Sequence, residues 1–388
     1  MSDKLRSPAT AGVINPYALA EVKLGHQVDW PRVADRKRFL QTVLDCPYER
    51  LFDPKHGSPL YAGVRFDVRE GALFHNPEPA VLISASNRLK HLTPNVLNVG
   101  GLGGTSQQWV NPGVFFTNSA DFTAPVQGAL PDCHFISAMA ALAWSDPFAI
   151  VHATRPINNF ADALQSGGAM DRILFYNGTG AAPQSVEVTE FLPLIEPGNA
   201  FQYARSGHSG ETWPAVYEKA WVKWFTNDPD DRPDYTKVTG GDPIADLVSL
   251  TGKNYHAVAT AGESGNQIWT AVRSHCRGSW TFDPMAACTY ASSAAAPTPI
   301  NYDTSGLVAW HCYAILGWQY VNGTEYIVLR NPWGYHEGTL NVDIGPWTSF
   351  DQFDGGDVVG SLSLPNHGVF ALEANTFQQY FASYGWVD

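Results

Sequence analysis

The sequence predicts an α+β fold, with its helices in the middle of the chain and its β-strands toward the end. Three stretches carry that reading. Residues 132–144 run DCHFISAMAALAW, an apolar helical pattern entered through Pro131, which stiffens the approach, and Asp132, which can cap the first turn. Residues 211–224 and 243–250 repeat the helical pattern, and the second of these stops at Thr251-Gly252, with glycine in the C-terminal position that favours it. From Ala309 the pattern turns to β: residues 309–320 and 324–330 flank Val321-Asn322-Gly323, a strong hairpin signal. With 388 residues, 44% hydrophobic and 13% aromatic, the chain can build a large core in two or three domains.

The remaining elements follow in order. Residues 1–110 are turn-rich, with a helical pattern over 30–44 and loop signals at Asp53-Pro54, His56-Gly57 and Asn76-Pro77. Gly100-Gly101-Leu102-Gly103-Gly104 has the glycine content of a phosphate loop, but no Gly-Lys-Ser/Thr and no helix start follow, so a turned loop is expected. Ala138, Ala140, Ala141 and Ala143 make a helix slim enough to pack on all sides. Short strands are expected at 173–176 and 186–192. The acidic loop 227–231 lacks the central glycine and closing glutamate of an EF-hand. The Ala- and Pro-rich patch 291–299 reads as a surface loop.

Composition narrows the function. Only 16% of residues are charged, which speaks against disorder, and the net charge of −13 without a Lys/Arg run speaks against a nucleic-acid groove or an anionic membrane partner. No apolar stretch has the length of a membrane span or the placing of a secretory signal. The five cysteines, Cys46, Cys133, Cys276, Cys288 and Cys312, are odd in number, irregularly spaced and without a C-x-x-C pair. That pattern predicts neither a disulfide framework nor structural zinc. A reducing, cytoplasmic setting is expected, with all but Cys133 as structural thiols; delivery by another secretion route would look the same.

Cys133 is singled out by its surroundings. It stands at a helix start, where the partial positive charge of the N-terminus favours a thiolate, and Gln127 lies six residues upstream as an amide donor. A thiol nucleophile also needs a base and an orienter. Trp310-His311-Cys312-Tyr313 and Arg330-Asn331-Pro332-Trp333-Gly334 supply candidates. The hairpin sets a condition on them. With a two-residue turn at Asn322-Gly323, Asn331 would oppose Ala314 and face away from His311, since side chains alternate along a strand. With a three-residue loop and left-handed Gly323, Asn331 opposes Tyr313 and shares a face with His311, within reach of an imidazole and an amide. The three-residue bulged loop is therefore expected, a two-residue turn counting against the shared face unless another bulge intervenes. His134 follows Cys133 on the helix and diverges from it by about 100°.

Gln-Gly-Ala-Leu-Pro-Asp-Cys at 127–133, His311, and Asn331-Pro332-Trp333-Gly334, in that order, resemble the protease core of the calpain family, within the papain-like thiol peptidases. Leu51-Phe52-Asp53-Pro54, Tyr203-Ala204-Arg205-Ser206 with Tyr217-Glu218-Lys219-Ala220-Trp221, Leu250-Thr251-Gly252 and Gly368-Val369-Phe370 extend the resemblance over residues 40–378. It implies a papain-like two-subdomain core, with the nucleophile helix in one half, an antiparallel β-sheet or barrel carrying His311 and Asn331 in the other, and the active site in the cleft between. The corresponding division is a lead-in segment 1–110 packed on the core, a Cys-bearing subdomain 111–252 and a His/Asn-bearing subdomain 253–388. The implied roles are Cys133 as nucleophile, His311 as general base and acid, Asn331 as orienter and Gln127 as oxyanion donor, with Trp333 covering the His–Asn contact. The implied activity is endopeptidase cleavage of protein or peptide substrates. Two alternatives stay open: a thiol acyltransferase or amidase on the same residues, and a silent protein-binding module. No motif requires a cofactor; calcium is the family's ion, but its ligands are not marked by a motif here. The chain departs from the family at Pro131, at His134 (usually Trp) and at Trp310 (usually Gly), placing His134 and Trp310 as candidate cleft residues.

Overall fold

The computed structural model of the chain describes residues 59–60, 64–67, 72–74, 97–99, 107–113, 115–116, 120–156, 170–195, 200–208, 210–238, 240–334, 344–346, 349–354, 357–363 and 368–388. The expected helix at 30–44, the lead-in motif at 51–54 and the glycine cluster at 100–104 lie outside these residues.

Helix α1 (Cys133–Ser145) is enclosed on every side: the eleven residues from His134 to Trp144 are all buried. An isolated helix of this length is marginal in water, so packing around its alanine-rich surface is what holds it. Asp132 occupies the N-cap position but its carboxylate caps nothing. It turns instead toward Glu218. The short strands expected at 173–176 and 186–192 are β1 (Met170–Tyr176) and β2 (Pro183–Thr189), which pair as an antiparallel hairpin. Helix α2 (Trp213–Phe225) buries Trp213, Tyr217 and Trp221. Helix α3 (Pro243–Thr251) is capped by Asp242 and ends at Gly252 with φ 71°, the left-handed conformation that glycine adopts without cost.

Among the described residues the second half of the chain builds one large sheet, beside a separate hairpin of Ser349–Asp354 with Asp357–Ser363, and a short strand Cys276–Arg277 pairs off the main path of the large sheet. The strands on its main path are β3 (Tyr255–Ala259), β4 (Trp280–Thr289), β5 (Cys312–Val321), β6 (Thr324–Arg330), β7 (Ile344–Pro346), β8 (Val369–Glu373) and β9 (Phe381–Val387). They lie in the order β3-β9-β4-β5-β6-β8-β7, antiparallel throughout. The sheet is open, with β3 and β7 at the ends of the path, so of the two expected forms it is the sheet and not the barrel. Period-2 alternation explains how it packs. Ala286, Ala314, Leu316, Val328, Val369 and Ala371 join the core around α1, whereas Tyr313, Ile315, Ile327, Leu329, Phe370 and Leu372 join a second core. That second core also contains Ile268 of α4 (Gly265–Ser274) and Phe377 of α5 (Ala374–Tyr380). The alanines facing α1 let its backbone approach the sheet closely.

Two expectations are corrected here. The hairpin turn is two residues long: Val321 pairs with Thr324, and Asn322 and Gly323 both have positive φ, 51° and 85°. This is a type I′ turn, whose twist matches that of the strands, and Asn-Gly favours it over the three-residue loop. The extra residue sits further along β5. Ile315 pairs with Leu329 and Gly317 with Val328, leaving Leu316 as a bulge whose carbonyl accepts the Trp144 indole N–H at 2.7 Å. Ala314 consequently pairs with Arg330, which sets Asn331 across from Tyr313 as the shared face requires. Second, Cys288 and Cys312 are direct partners across β4 and β5 and form a disulfide. Sequence spacing cannot show a pairing made by strand register, and the argument for a reducing compartment loses its footing.

Candidate active site

The first residue of α1 faces the start of β5. Cys133 is half-buried, and its sulfur takes backbone N–H contacts from Cys312 and from His134. Burial nevertheless pushes the thiol up to about 11, with Asp132 and Asp246 pushing the same way. The helix is tied to the strand one turn further on, where Ser137 Oγ donates to the Cys312 carbonyl at 2.9 Å.

His311 precedes β5 and is 4% exposed. Thr289 brackets its backbone: the His311 N–H donates to Thr289 Oγ1 at 3.0 Å and the His311 carbonyl accepts the Thr289 N–H at 2.9 Å. Its Nε2 lies 3.0 Å from Asn331 Oδ1. The backbone N–H of Trp333 points at the same atom, also at 3.0 Å. Since an amide N–H can only donate, that atom is the carbonyl oxygen of Asn331, and Nε2 must carry the imidazole proton. Nδ1 is left as the basic nitrogen. The Trp333 ring stands 4.6 Å from the imidazole, centroid to centroid. Burial drives the His311 pKa down to about 4, with the bond to Asn331 acting in the opposite direction. Burial thus works against the charged form of both groups, the thiolate of Cys133 and the imidazolium of His311.

Gln127 is held on three sides. Its N–H donates to the Pro332 carbonyl at 2.9 Å, its Nε2 to the Leu130 carbonyl at 2.8 Å, and its carbonyl accepts from Arg205 Nη1 at 3.3 Å. Gly128 lies so close to Tyr203 that a Cβ would come within 2.1 Å of the Tyr203 carbonyl oxygen. The segment leading to Cys133 is thus clamped between residues 202–205 and the Asn331-Pro332-Trp333 turn.

The other two candidates part company. His134 departs from the expectation of a cleft residue: it is 2% exposed, 2.5 Å from Asp246 Oδ2 through Nδ1, edge-on to Trp221, and covered by Gly241. The 100° step from Cys133 along the helix turns it into the core. Trp310 is 76% exposed with φ 51° and lies beside Gly240. Left-handed backbone costs an L-residue about 1–2 kcal/mol. Replacing Trp310 with glycine should therefore raise stability by about 1 kcal/mol in chemical denaturation, and an unchanged or lower midpoint would show the backbone is unstrained.

Sequence reasoning missed several residues around this site. Glu218 accepts the Ala204 N–H with both oxygens at 3.0 Å and faces Asp132. Burial pushes Asp132 up to about 7, and Glu218 well above the carboxylate range. Asp246, Ser137, Thr289 and Arg330 were also passed over. Only Arg330 left a signal, as a lone cation closing the apolar run Tyr-Ile-Val-Leu. Among the described residues no group of three or more His, Cys, Asp or Glu is placed to hold a metal ion. No helix among the described residues is long and apolar enough to cross a membrane.

A cysteine that opens a helix and touches the strand following His311, with a His–Asn pair at the ends of two neighbouring strands, on an α+β frame of enclosed helix and open antiparallel sheet, defines a papain-like core. The family model described as calpain family cysteine protease matches residues 105–385, and the chain belongs to that family. A thiol protease of Porphyromonas gingivalis is 24% identical over 98% of this chain and 88% of its own length. Human calpain-14 is 25% identical over 81% of this chain, and the calpain-1 catalytic subunit of Macaca fascicularis 26% identical over 74%. The chain spans 42% and 38% of the lengths of those two animal relatives.

Proposed function

We propose that the chain is a cysteine endopeptidase acting on extended protein segments laid between the halves formed by residues 111–252 and 253–388. The observation that carries this is the proton arrangement at His311. Asn331 fixes the tautomer with Nε2 protonated, leaving Nδ1 free to accept a proton, while the adjoining residue Cys312 touches the Cys133 sulfur through its N–H. Because thiol and imidazole are both neutral at rest, His311 acts as a general base: it takes the thiol proton as sulfur attacks the peptide carbonyl. The tetrahedral oxyanion is met by the Gln127 side chain and the Cys133 N–H, each such donor being worth about 2.7–4 kcal/mol in the transition state. His311 then returns the proton to the leaving amine, and water hydrolyses the thioester.

The test is cleavage of an unfolded protein substrate beside iodoacetamide labelling of native protein, with Cys133→Ala as control. Labelling confined to Cys133, with matching loss of cleavage, supports the reading; a wild-type protein that cleaves nothing rejects it. The pH dependence follows from the same burial. His311 must be neutral to act, and its folded-state pKa is depressed to about 4. kcat/KM should therefore hold on acidification from neutrality and fall only as the pH drops through about 4. Protonation of Asp132 near pH 7 does not oppose this, since its charge disfavours the thiolate. An acid limb at the ordinary imidazole pKa of about 6.5 would contradict the assignment.

A further inference from the structure

Arg330 is a full positive charge with 0% exposure, at the end of a strand whose buried part is otherwise apolar. Burying such a group is costly unless its hydrogen bonds are met. Its Nη2 donates to the carbonyls of Thr123 at 3.0 Å and Pro125 at 2.8 Å. Both belong to the segment that leads into Gln127, and Gln127 itself donates to Pro332 at 2.9 Å. Residues 330 and 332 therefore grip 123–127 through three hydrogen bonds, and Asn331, the partner of His311, lies between them.

The gripped segment is stiff. Residues 120–126 are buried throughout. Asp121 Oδ1 accepts both the N–H and the hydroxyl of Thr123, at 2.7 and 2.8 Å, and His208 lies 3.1 Å from that hydroxyl. The Gly207 N–H donates to the Ala124 carbonyl at 2.8 Å, and a Cβ on Gly207 would come within 2.7 Å of the Thr123 carbonyl oxygen. A displacement of Arg330 would thus be carried along a rigid strip to Gln127. Both bonds leave one nitrogen, Nη2, whose direction is fixed by the planar guanidinium, whereas an ammonium on a flexible stem fixes no such direction.

We propose that Arg330 is a positioning residue: it holds the oxyanion-donor segment in register with the His311–Asn331 pair. This rests on the cysteine-peptidase reading, and its test separates the two. Arg330→Met is compared with wild type in peptide hydrolysis and in alkylation of Cys133 by iodoacetamide. Alkylation needs the thiol and its base but builds no oxyanion. The expected result is a kcat lower by about 10²-fold with little change in KM, while alkylation stays within about threefold, because only the oxyanion contact is disturbed. Arg330→Lys keeps the charge but loses the planar, directed donor group, so it should show the same split with a kcat loss of roughly tenfold. If Arg330→Met does not fold, as judged by circular dichroism, the lysine variant decides. Hydrolysis unchanged in the folded variant, or hydrolysis and alkylation falling in parallel, would overturn the proposal. Wild-type protein that does not cleave at all rejects the peptidase reading, and this proposal with it.

Discussion

Replacing Cys133 with alanine is expected to lower kcat for peptide hydrolysis by at least about 10⁴-fold, and replacing His311 with alanine to lower it about as far. The reason for the shared magnitude is that the two side chains act in one step. Without the sulfur there is nothing for His311 to deprotonate; without His311 the thiol, raised by burial to about 11, keeps its proton. The Cys133→Ala/His311→Ala double variant should therefore be no worse than the more damaging single variant. Purely additive losses would mean that the residues contribute separately and that the proton-transfer scheme is wrong. Thermal midpoints should move little for Cys133→Ala, since the half-buried thiol is replaced by a residue that favours the helix.

Reduction of the Cys288–Cys312 bridge is expected to destabilise the protein by about 3 kcal/mol. Its closed loop spans a sequence separation of 24, and the loss is chiefly the loop-closure entropy returned to the unfolded chain. In a chain of this size the midpoint should fall by roughly 5 °C. Activity should suffer as well, because Cys312 follows His311 directly and its N–H touches the Cys133 sulfur. The measurement is thermal unfolding with and without a dithiol reductant, together with mapping of a non-reduced digest for the linked peptides around Cys288 and Cys312. Finding both thiols alkylated in protein purified without reductant would remove the bridge.

Local chemistry made much of the fold legible. The helix of residues 132–144, the glycine stop at Gly252 and the hairpin at Asn322-Gly323 all follow from propensity and turn preference, which act over a few residues. Errors arose where an outcome depended on a distant partner. Asp132 was read as a helix cap from its neighbours alone, but Glu218, 86 positions away in the chain by subtraction, draws its carboxyl aside. The turn was given three residues because His311 and Asn331 had to share a face. The structure meets that condition with an Asn-Gly turn and a bulge at Leu316, where the Trp144 indole takes the carbonyl. The same holds for His134, whose direction is set by Asp246 and Trp221.

Sequence alone was enough to determine the helix that begins at Cys133, the hairpin that joins the His311 and Asn331 segments, and the order of the Gln127, Cys133, His311 and Asn331 motifs. Tertiary structure alone decided the tautomer at His311, the burial of thiol and imidazole, the pairing of Cys288 with Cys312 and the grip of Arg330 on residues 123–125. The division has one physical cause. Propensity and turn chemistry are written in adjacent residues, whereas register, burial and desolvation belong to surfaces that meet only when the chain has closed on itself.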